Sequence, residues 1–323
     1  MSSQQKILTG LQPSGALHLG NYFGAMQPAI EWQDKGDAYY FIASYHALTS
    51  LKDPAALAQY TRDVAADFIA CGLDPNKVTL FNQHDVPIVN ELAWILSTVC
   101  PMGLLERCHS YKDKVAKGIG ATHGLFAYPA LMAADILLYG ADLVPVGKDQ
   151  KQHLEVTRDL ATKMNETFQA DLFKLPEPMI LENTAVVPGI DGQKMSKSYQ
   201  NTLPLFAPEK PLRKLFMKIV TDSCEVEDPK PTEDSTILAL FKLLASGQEY
   251  EQMVADFKAG GLGYGNFKQR LWEAYMDTFA LMRESRAAIT DQDLNDILAQ
   301  GKEKATVVAQ ETAARVRKAV GLV

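Results

Sequence analysis

The chain has 323 residues, room for about two domains, and its 47% hydrophobic and 22% charged residues are the balance of a packed globular protein rather than a disordered one. A formal net charge of −7 argues against a generally basic nucleic-acid binder, so any nucleic acid has to dock on a local patch of Lys and Arg. Met1 to Lys6 lacks an apolar signal region, no run approaches ~18 apolar residues, and the four cysteines form no CxxC pair, which together point to the cytoplasm, with no disulfide framework, zinc clip or membrane span.

In chain order, the short apolar run Lys6 to Gln12 reads as a strand and Pro13-Ser14-Gly15 as the turn that ends it. Leu19, Phe23, Met26 and Ile30 then recur at helical spacing, and Pro28 is expected to kink or interrupt that helix. His18 and Asn21 therefore fall in a first turn, where unpaired N–H groups and the positive helix end suit phosphate. Gly15 and Gly20 leave the backbone there open to close approach. Taken alone, His18 also reads as a capping or packed histidine.

Ala38 to Ala43 is aromatic and apolar, the pattern of a buried strand. His46 follows just past its carboxyl end, where open α/β sheets bind ligands. Pro54 to Gly72 is helical and closed by glycine, and Lys77 to Phe81 is a third strand, so β-α-β-α-β order emerges. From Asp85 to about Gly120 the pattern changes: a helix over Asn90 to Val99 is broken by Pro101, and Tyr111 to Gly118 is a basic run.

Tyr128 to Gly140 reads as a strongly apolar helix begun by Pro129 and stopped by Gly140. Asp135 is its one charge, which is costly unless it has a dedicated partner, whether a bound ligand or an ion pair at a subunit contact. Ala141 to Val146 is a fourth strand, running into Gly147-Lys148-Asp149-Gln150. There a glycine permits close backbone approach, an aspartate suits ribose hydroxyls, and a glutamine can donate and accept. A helix over Gln152 to Thr167 and an apolar strand over Thr184 to Val187 follow.

That strand leads into Gln193-Lys194-Met195-Ser196-Lys197-Ser198-Tyr199. Two ammonium groups with interleaved serines, approached through Gly189 and Gly192, suit a loop that closes on a polyphosphate, although two lysines alone also fit a solvated basic loop. After Pro204 the chain becomes all-helical, over Pro208 to Val220, Ser235 to Ala245, Glu249 to Ala259, Asn266 to Ile289 and Asp291 to Val320. Basic clusters at Lys210, Arg213, Lys214 and Lys218, and at Arg283, Arg286, Arg315, Arg317 and Lys318, are solvated faces or nucleic-acid contacts.

His18-Leu19-Gly20-Asn21 and Lys194 to Ser198, in this order and about one nucleotide-binding domain apart, resemble the paired HIGH and KMSKS signatures of class I aminoacyl-tRNA synthetases, the second letter for letter. The wording between them narrows the resemblance to the bacterial tryptophanyl-tRNA synthetases, over essentially the whole chain. The resemblance implies an α/β fold: a Rossmann-like parallel-sheet catalytic domain over residues 1–204, split by a connective insertion at about 84–125, and an all-helical anticodon-binding domain over 205–323. It implies activation of L-tryptophan with ATP and Mg2+, then transfer to tRNA(Trp), by a symmetric homodimer joined through the insertion and the helix near Asp135.

The same resemblance places His18, Asn21, Lys114, Lys194 and Lys197 on the reacting phosphates. Gln12, Pro13, Ser14, Gly20, Gly147, Lys148, Asp149, Met195, Ser196 and Ser198 would line the nucleotide, with adenine near Ala185 or Val186. Asp135 would accept the indole N–H of tryptophan, with Met132 and Tyr128 against the ring, Gln150 and His46 near the amino acid, and Val144 and Val146 flanking it. Some relatives carry an iron–sulfur cluster on carboxyl-domain cysteines; only Cys224 lies there, so no protein-bound metal is expected. A tyrosyl-tRNA synthetase would need paired polar groups around a phenol where this helix has one carboxylate. A small-molecule nucleotidyltransferase shares the HxGH-type turn, and a non-catalytic tRNA-binding paralogue would not need His18, Lys194 and Lys197 together.

Overall fold

The computed structural model describes residues 5–13, 15–108, 111–112, 122–147, 150–180 and 186–323. Five strands, β1 (Lys6–Leu11), β2 (Asp37–Ile42), β3 (Val78–Asn82), β4 (Leu143–Val146) and β5 (Glu177–Ile180), form one parallel sheet in the order β3-β2-β1-β4-β5. A parallel sheet flanked by crossover helices is covered on both faces, which is why β2 reads as a continuous apolar run and buries every residue from Ala38 to Ile42. The fold is therefore the Rossmann-like α/β class expected from the sequence, with helical structure after residue 204.

The chain forms two compact units. The first comprises Met1–Gly15, Ala29–Glu182 and Thr290–Val323, and the second Ala16–Pro28 and Asn183–Ile289. In the first unit the sheet is flanked by the helices Pro54–Ala70, Ile88–Val99, His123–Leu138 and Lys151–Thr167, and the long helix Asp291–Val320 packs against β3. Gly301 permits that approach, since a Cβ there would stand 1.7 Å from the Leu80 carbonyl oxygen. In the second unit Glu209–Met217, Thr236–Leu244, Gly247–Ala259 and Tyr264–Ala288 enclose Phe216, Phe257, Phe267, Tyr275 and Phe279, all fully buried. Tyr22 stands edge-on to Phe279 at 5.0 Å, which seats the His18 turn on this cluster.

Two local expectations are corrected, and the interruption expected at Pro28 is found. The apolar helix begins at His123, not at Pro129; Thr122 caps it by accepting the Leu125 N–H at 3.2 Å, and Pro129 lies inside. Burial of Leu125 and Ala130 outweighs the lost ladder bond of the proline. Pro28 acts through its neighbours: the helix widens to π register over Tyr22–Met26 and returns to α over Gln27–Glu31. The strand expected over Thr184 to Val187 falls largely outside the described residues, Val186 and Val187 are not in a strand, and the sheet is closed instead by β5.

Candidate active site

Strand order reverses between β1 and its neighbours β2 and β4, and ligands of open α/β sheets bind outside the carboxyl ends at such a switch point. The β1–β2 ladder runs from Lys6↔Asp37 to Leu11↔Ile42, whereas β1 and β4 pair only through Ile7↔Leu143. Pro145, which has no N–H, follows in β4, and the ladder with β1 is not continued there. The carboxyl ends then present exposed Gln12 and buried Pro13 after β1, and Gly147 after β4. Gly15 holds φ +106, a backbone conformation that glycine adopts without strain. Ser14, Lys114, Lys148, Asp149 and Ala185 lie outside the described residues.

Asp135 is 2% exposed and projects from the apolar His123–Leu138 helix. The Gln83 amide donates to its Oδ1 at 2.7 Å and its Oδ2 at 2.9 Å, and His46 Nε2 lies 2.8 Å from Oδ2. Gln83 is itself fixed, because its Oε1 accepts the Tyr45 N–H at 2.9 Å. Burial pushes the Asp135 carboxyl up from the usual carboxylate range, and the His46 and Gln83 hydrogen bonds oppose that. The partner demanded by a buried carboxylate is thus partly protein: Gln83 escaped the sequence reading, although it follows the last residue of β3, the same edge position that drew attention to His46 after β2. The carboxylate has about four lone-pair sites, so it retains capacity for a ligand donor.

Beside it, Tyr128 O–H lies 2.6 Å from His153 Nε2, and His153 Nδ1 lies 2.9 Å from Gln150 Oε1. Since an amide oxygen only accepts, Nδ1 carries the proton and the tyrosine donates to Nε2. The Tyr128 ring meets the His46 ring edge-on at 6.2 Å, which brings the two hydrogen-bonded groups side by side. His153, 1% exposed, is a second member that sequence reasoning missed. Val144 and Val146 are buried in the core cluster against which Met132 packs half-buried, so the apolar members are also assembled in this unit.

In the second unit the segment around His18 is pinned by the Leu203–Leu205 backbone: Leu19 N–H donates to the Leu203 carbonyl at 3.0 Å, and Leu205 N–H to the Leu17 carbonyl at 2.9 Å. Asn21 Oδ1 accepts the His18 backbone N–H at 3.2 Å, closing the turn. Gly20 N–H donates to Met195 Sδ at 3.4 Å, so the two signature motifs meet through a thioether rather than through their charges. Burial first, and the nearby Lys197 ammonium second, push the His18 imidazole down to about 4. It is therefore uncharged at neutral pH, and its buried Nδ1 has no hydrogen-bond partner among the described residues.

Within the lysine loop Met195 is buried, Ser196 and Lys197 half-buried, and Lys194 and Ser198 exposed. Lys197–Tyr199 form a single 3-10 turn, started by Ser196 Oγ accepting the Ser198 N–H at 3.3 Å. Val186, expected near adenine, is 71% exposed.

Residues 2–280 match the family model described as tRNA synthetases class I (W and Y). A tryptophan–tRNA ligase of Fusobacterium nucleatum is 49% identical over 99% of this chain and 98% of its own. The crystal structure of the Campylobacter jejuni tryptophanyl-tRNA synthetase complexed with ADP and tryptophan is 48% identical, with a TM-score of 0.94 over 98% of this chain and 100% of that one. That of Mycoplasma pneumoniae is 32% identical, with a TM-score of 0.79 over 99% and 98%. With that model covering most of its length and bacterial tryptophan enzymes 48–49% identical to it end to end, the chain belongs to the class I tRNA synthetases of the W and Y group, in its bacterial tryptophanyl branch.

Proposed function

We propose that this chain is a tryptophan–tRNA ligase that activates L-tryptophan with Mg·ATP, forms tryptophanyl-adenylate and pyrophosphate, and transfers the aminoacyl group to tRNA(Trp). The observation that carries the choice of amino acid is the Asp135 carboxylate, buried in an apolar helix and oriented by Gln83 and His46. Such an acceptor suits an indole N–H. A phenylalanine ring, lacking a donor, would leave the carboxylate less satisfied, and sites built to bond a substrate N–H or O–H discriminate by about 10⁴–10⁵ against analogues without it. With Gln83 and His46 already bonded to it, Asp135 keeps room for one more donor, which fits the donor-only indole N–H of tryptophan.

The substrate carboxylate attacks the α-phosphorus, so no side chain need be a covalent nucleophile, and catalysis is positioning plus charge stabilisation. In this reading neutral His18 and Asn21 meet the reacting phosphate, while Lys194 and Lys197, with Lys114, compensate charge on departing pyrophosphate. Gln12, Pro13, Ser14, Gly20, Gly147, Lys148, Asp149, Ala185, Val186, Met195, Ser196 and Ser198 hold the nucleotide. Met132, Tyr128, Gln150, His46, Val144 and Val146 complete the tryptophan pocket around Asp135. Magnesium is read as part of the substrate, carried by the triphosphate as small hard cations are.

Residues 1–204, with an insertion at about 84–125, are proposed to carry catalysis, and 205–323 to read the anticodon through local basic contacts, consistent with the net charge of −7. A homodimer is supported by a groove of about 500 Å³ lined by residues 45–52 and by the Ile88–Val99 and His123–Leu138 helices, beside Trp94 at 73% exposed. No helix among the described residues is long and apolar enough to cross a membrane, and a cytoplasmic site of action fits four free cysteines. The test is ATP–pyrophosphate exchange with tryptophan, tyrosine and phenylalanine offered separately, without tRNA. Exchange driven by tryptophan is expected; exchange driven by tyrosine instead, or by neither, overturns the proposal.

A further inference from the structure

We infer that Asn201 is the positioning residue that sets the backbone of the lysine loop for the transfer chemistry, an inference that rests on the reading of Lys194 and Lys197 given above. Its side chain is buried at 1% exposed. Oδ1 accepts the Ser196 N–H at 2.7 Å, while Nδ2 donates to the Lys194 carbonyl at 3.1 Å and to Asp191 Oδ1 at 2.8 Å. The Asn201 backbone carbonyl accepts the Ile190 N–H at 2.9 Å.

Those partners lie on both arms of a hairpin. Met195 N–H donates to the Val187 carbonyl at 2.8 Å and Gly189 N–H to the Gln193 carbonyl at 2.7 Å, with Gly192 at φ +80 in the turn. Asp191 Oδ1 also accepts the Gln193 N–H at 3.0 Å, so the residue that Asn201 bonds in turn fixes the hairpin tip. One amide thus spans the tip, the Lys194 carbonyl and the Ser196 N–H. A backbone shift at either of the last two would displace an ammonium group.

The fit leaves no slack. A Cβ on Gly189 would stand 2.3 Å from Asn201 Cγ and 2.4 Å from Nδ2, so glycine is required for the amide to lie where it does. Both N–H donors of the amide are used and its oxygen accepts, an inventory that no other side chain of this size reproduces. Aspartate would keep the bond from Ser196 but set an acceptor against the Lys194 carbonyl and the Asp191 carboxylate. The ammonium groups would then be present but misplaced.

The experiment is tryptophan-dependent ATP–pyrophosphate exchange on the full chain, with thermal melting measured in parallel, for Asn201→Asp and for Asn201→Asp combined with Asp191→Asn. The single variant is expected to lower kcat about 10²-fold, as small misplacements of reacting groups do, with the KM for tryptophan within about twofold. The second change supplies an amide that can donate to the new carboxylate, and is expected to recover at least about fivefold of that kcat. Wild-type kcat in Asn201→Asp overturns the inference, as does a parallel loss of kcat, KM and melting temperature that Asp191→Asn does not recover. Absence of tryptophan-dependent exchange in the wild-type chain would overturn the functional reading and this inference with it, whereas normal wild-type exchange with an indifferent Asn201 overturns the inference alone.

Discussion

The Gln83 amide donates to both oxygens of the buried Asp135 carboxyl group, at 2.7 and 2.9 Å, so that group is aimed before any ligand arrives. Hydrogen bonds to charged groups contribute roughly 1.5–3 kcal/mol, which corresponds to about 10- to 150-fold in binding. Gln83→Leu removes both donors and also strips the Tyr45 N–H of its acceptor. We expect the KM for tryptophan in pyrophosphate exchange to rise about 10- to 100-fold, with a smaller effect on the KM for ATP. An unchanged KM for tryptophan would remove Gln83 from the site.

The His18 imidazole supplies a pH prediction whose sign follows from its environment. Burial and Lys197 lower its pKa from 6.5 to about 4, so between those values the folded chain binds fewer protons here than the unfolded one. The stability that this group contributes is therefore fully present above pH 6.5 and falls as the pH drops toward 4. Ring resonances followed by NMR should show His18 titrating near 4, and Lys197→Ala should raise that value only in part, because burial is the larger cause. A ring that titrates near 6.5 would contradict its burial and leave His18 mostly protonated at pH 6.

Lys197 is assigned to charge that appears on pyrophosphate only as the bond breaks. A contact made in the transition state and not in the ground state lowers kcat when removed, without weakening substrate binding. Lys197→Ala is accordingly expected to lower the activation rate by about 10²–10³, the range for losing one stabilising donor, while tryptophan affinity measured by titration stays within about twofold. Equal losses in rate and in tryptophan affinity would contradict this division of roles.

Strands β1 to β4 were legible because apolar runs bounded by Gly, Pro and polar residues leave little choice, and each begins or ends within two residues of its expected bounds. β5 was not: Glu177-Pro178 reads as loop, and Val186-Val187 has the higher strand propensity yet lies outside the sheet, so pairing with β4 outweighed local preference. The motif residues His18, Gly20 and Lys194 to Ser198 were visible as letters, whereas the Gly20–Met195 contact that joins them is long-range and carries no sequence pattern. The same holds for Gln83 and His153. Each is an ordinary polar residue in sequence and becomes part of a site only when the fold brings it to Asp135 or Tyr128.

The packing of the Asp291–Val320 helix on β3 can be tested at one atom. Within a helix, glycine to alanine normally favours stability by up to about 1 kcal/mol through propensity alone. At Gly301 the added methyl would lie 1.7 Å from the Leu80 carbonyl oxygen and 2.5 Å from its carbon, both backbone atoms of a central β3 residue that cannot swing aside. Overpacking costs typically about 1–3 kcal/mol, and here the helix must lift off the strand to relieve it. Gly301→Ala is therefore expected to lower the melting temperature by several degrees, roughly as a loss of 1–3 kcal/mol does for a chain of this size, with the KM for tryptophan little altered in the fraction that remains folded. A variant as stable as the wild type would mean that the helix does not approach β3 this closely, and the sheet-side placement of the carboxyl-terminal helix would fall with it.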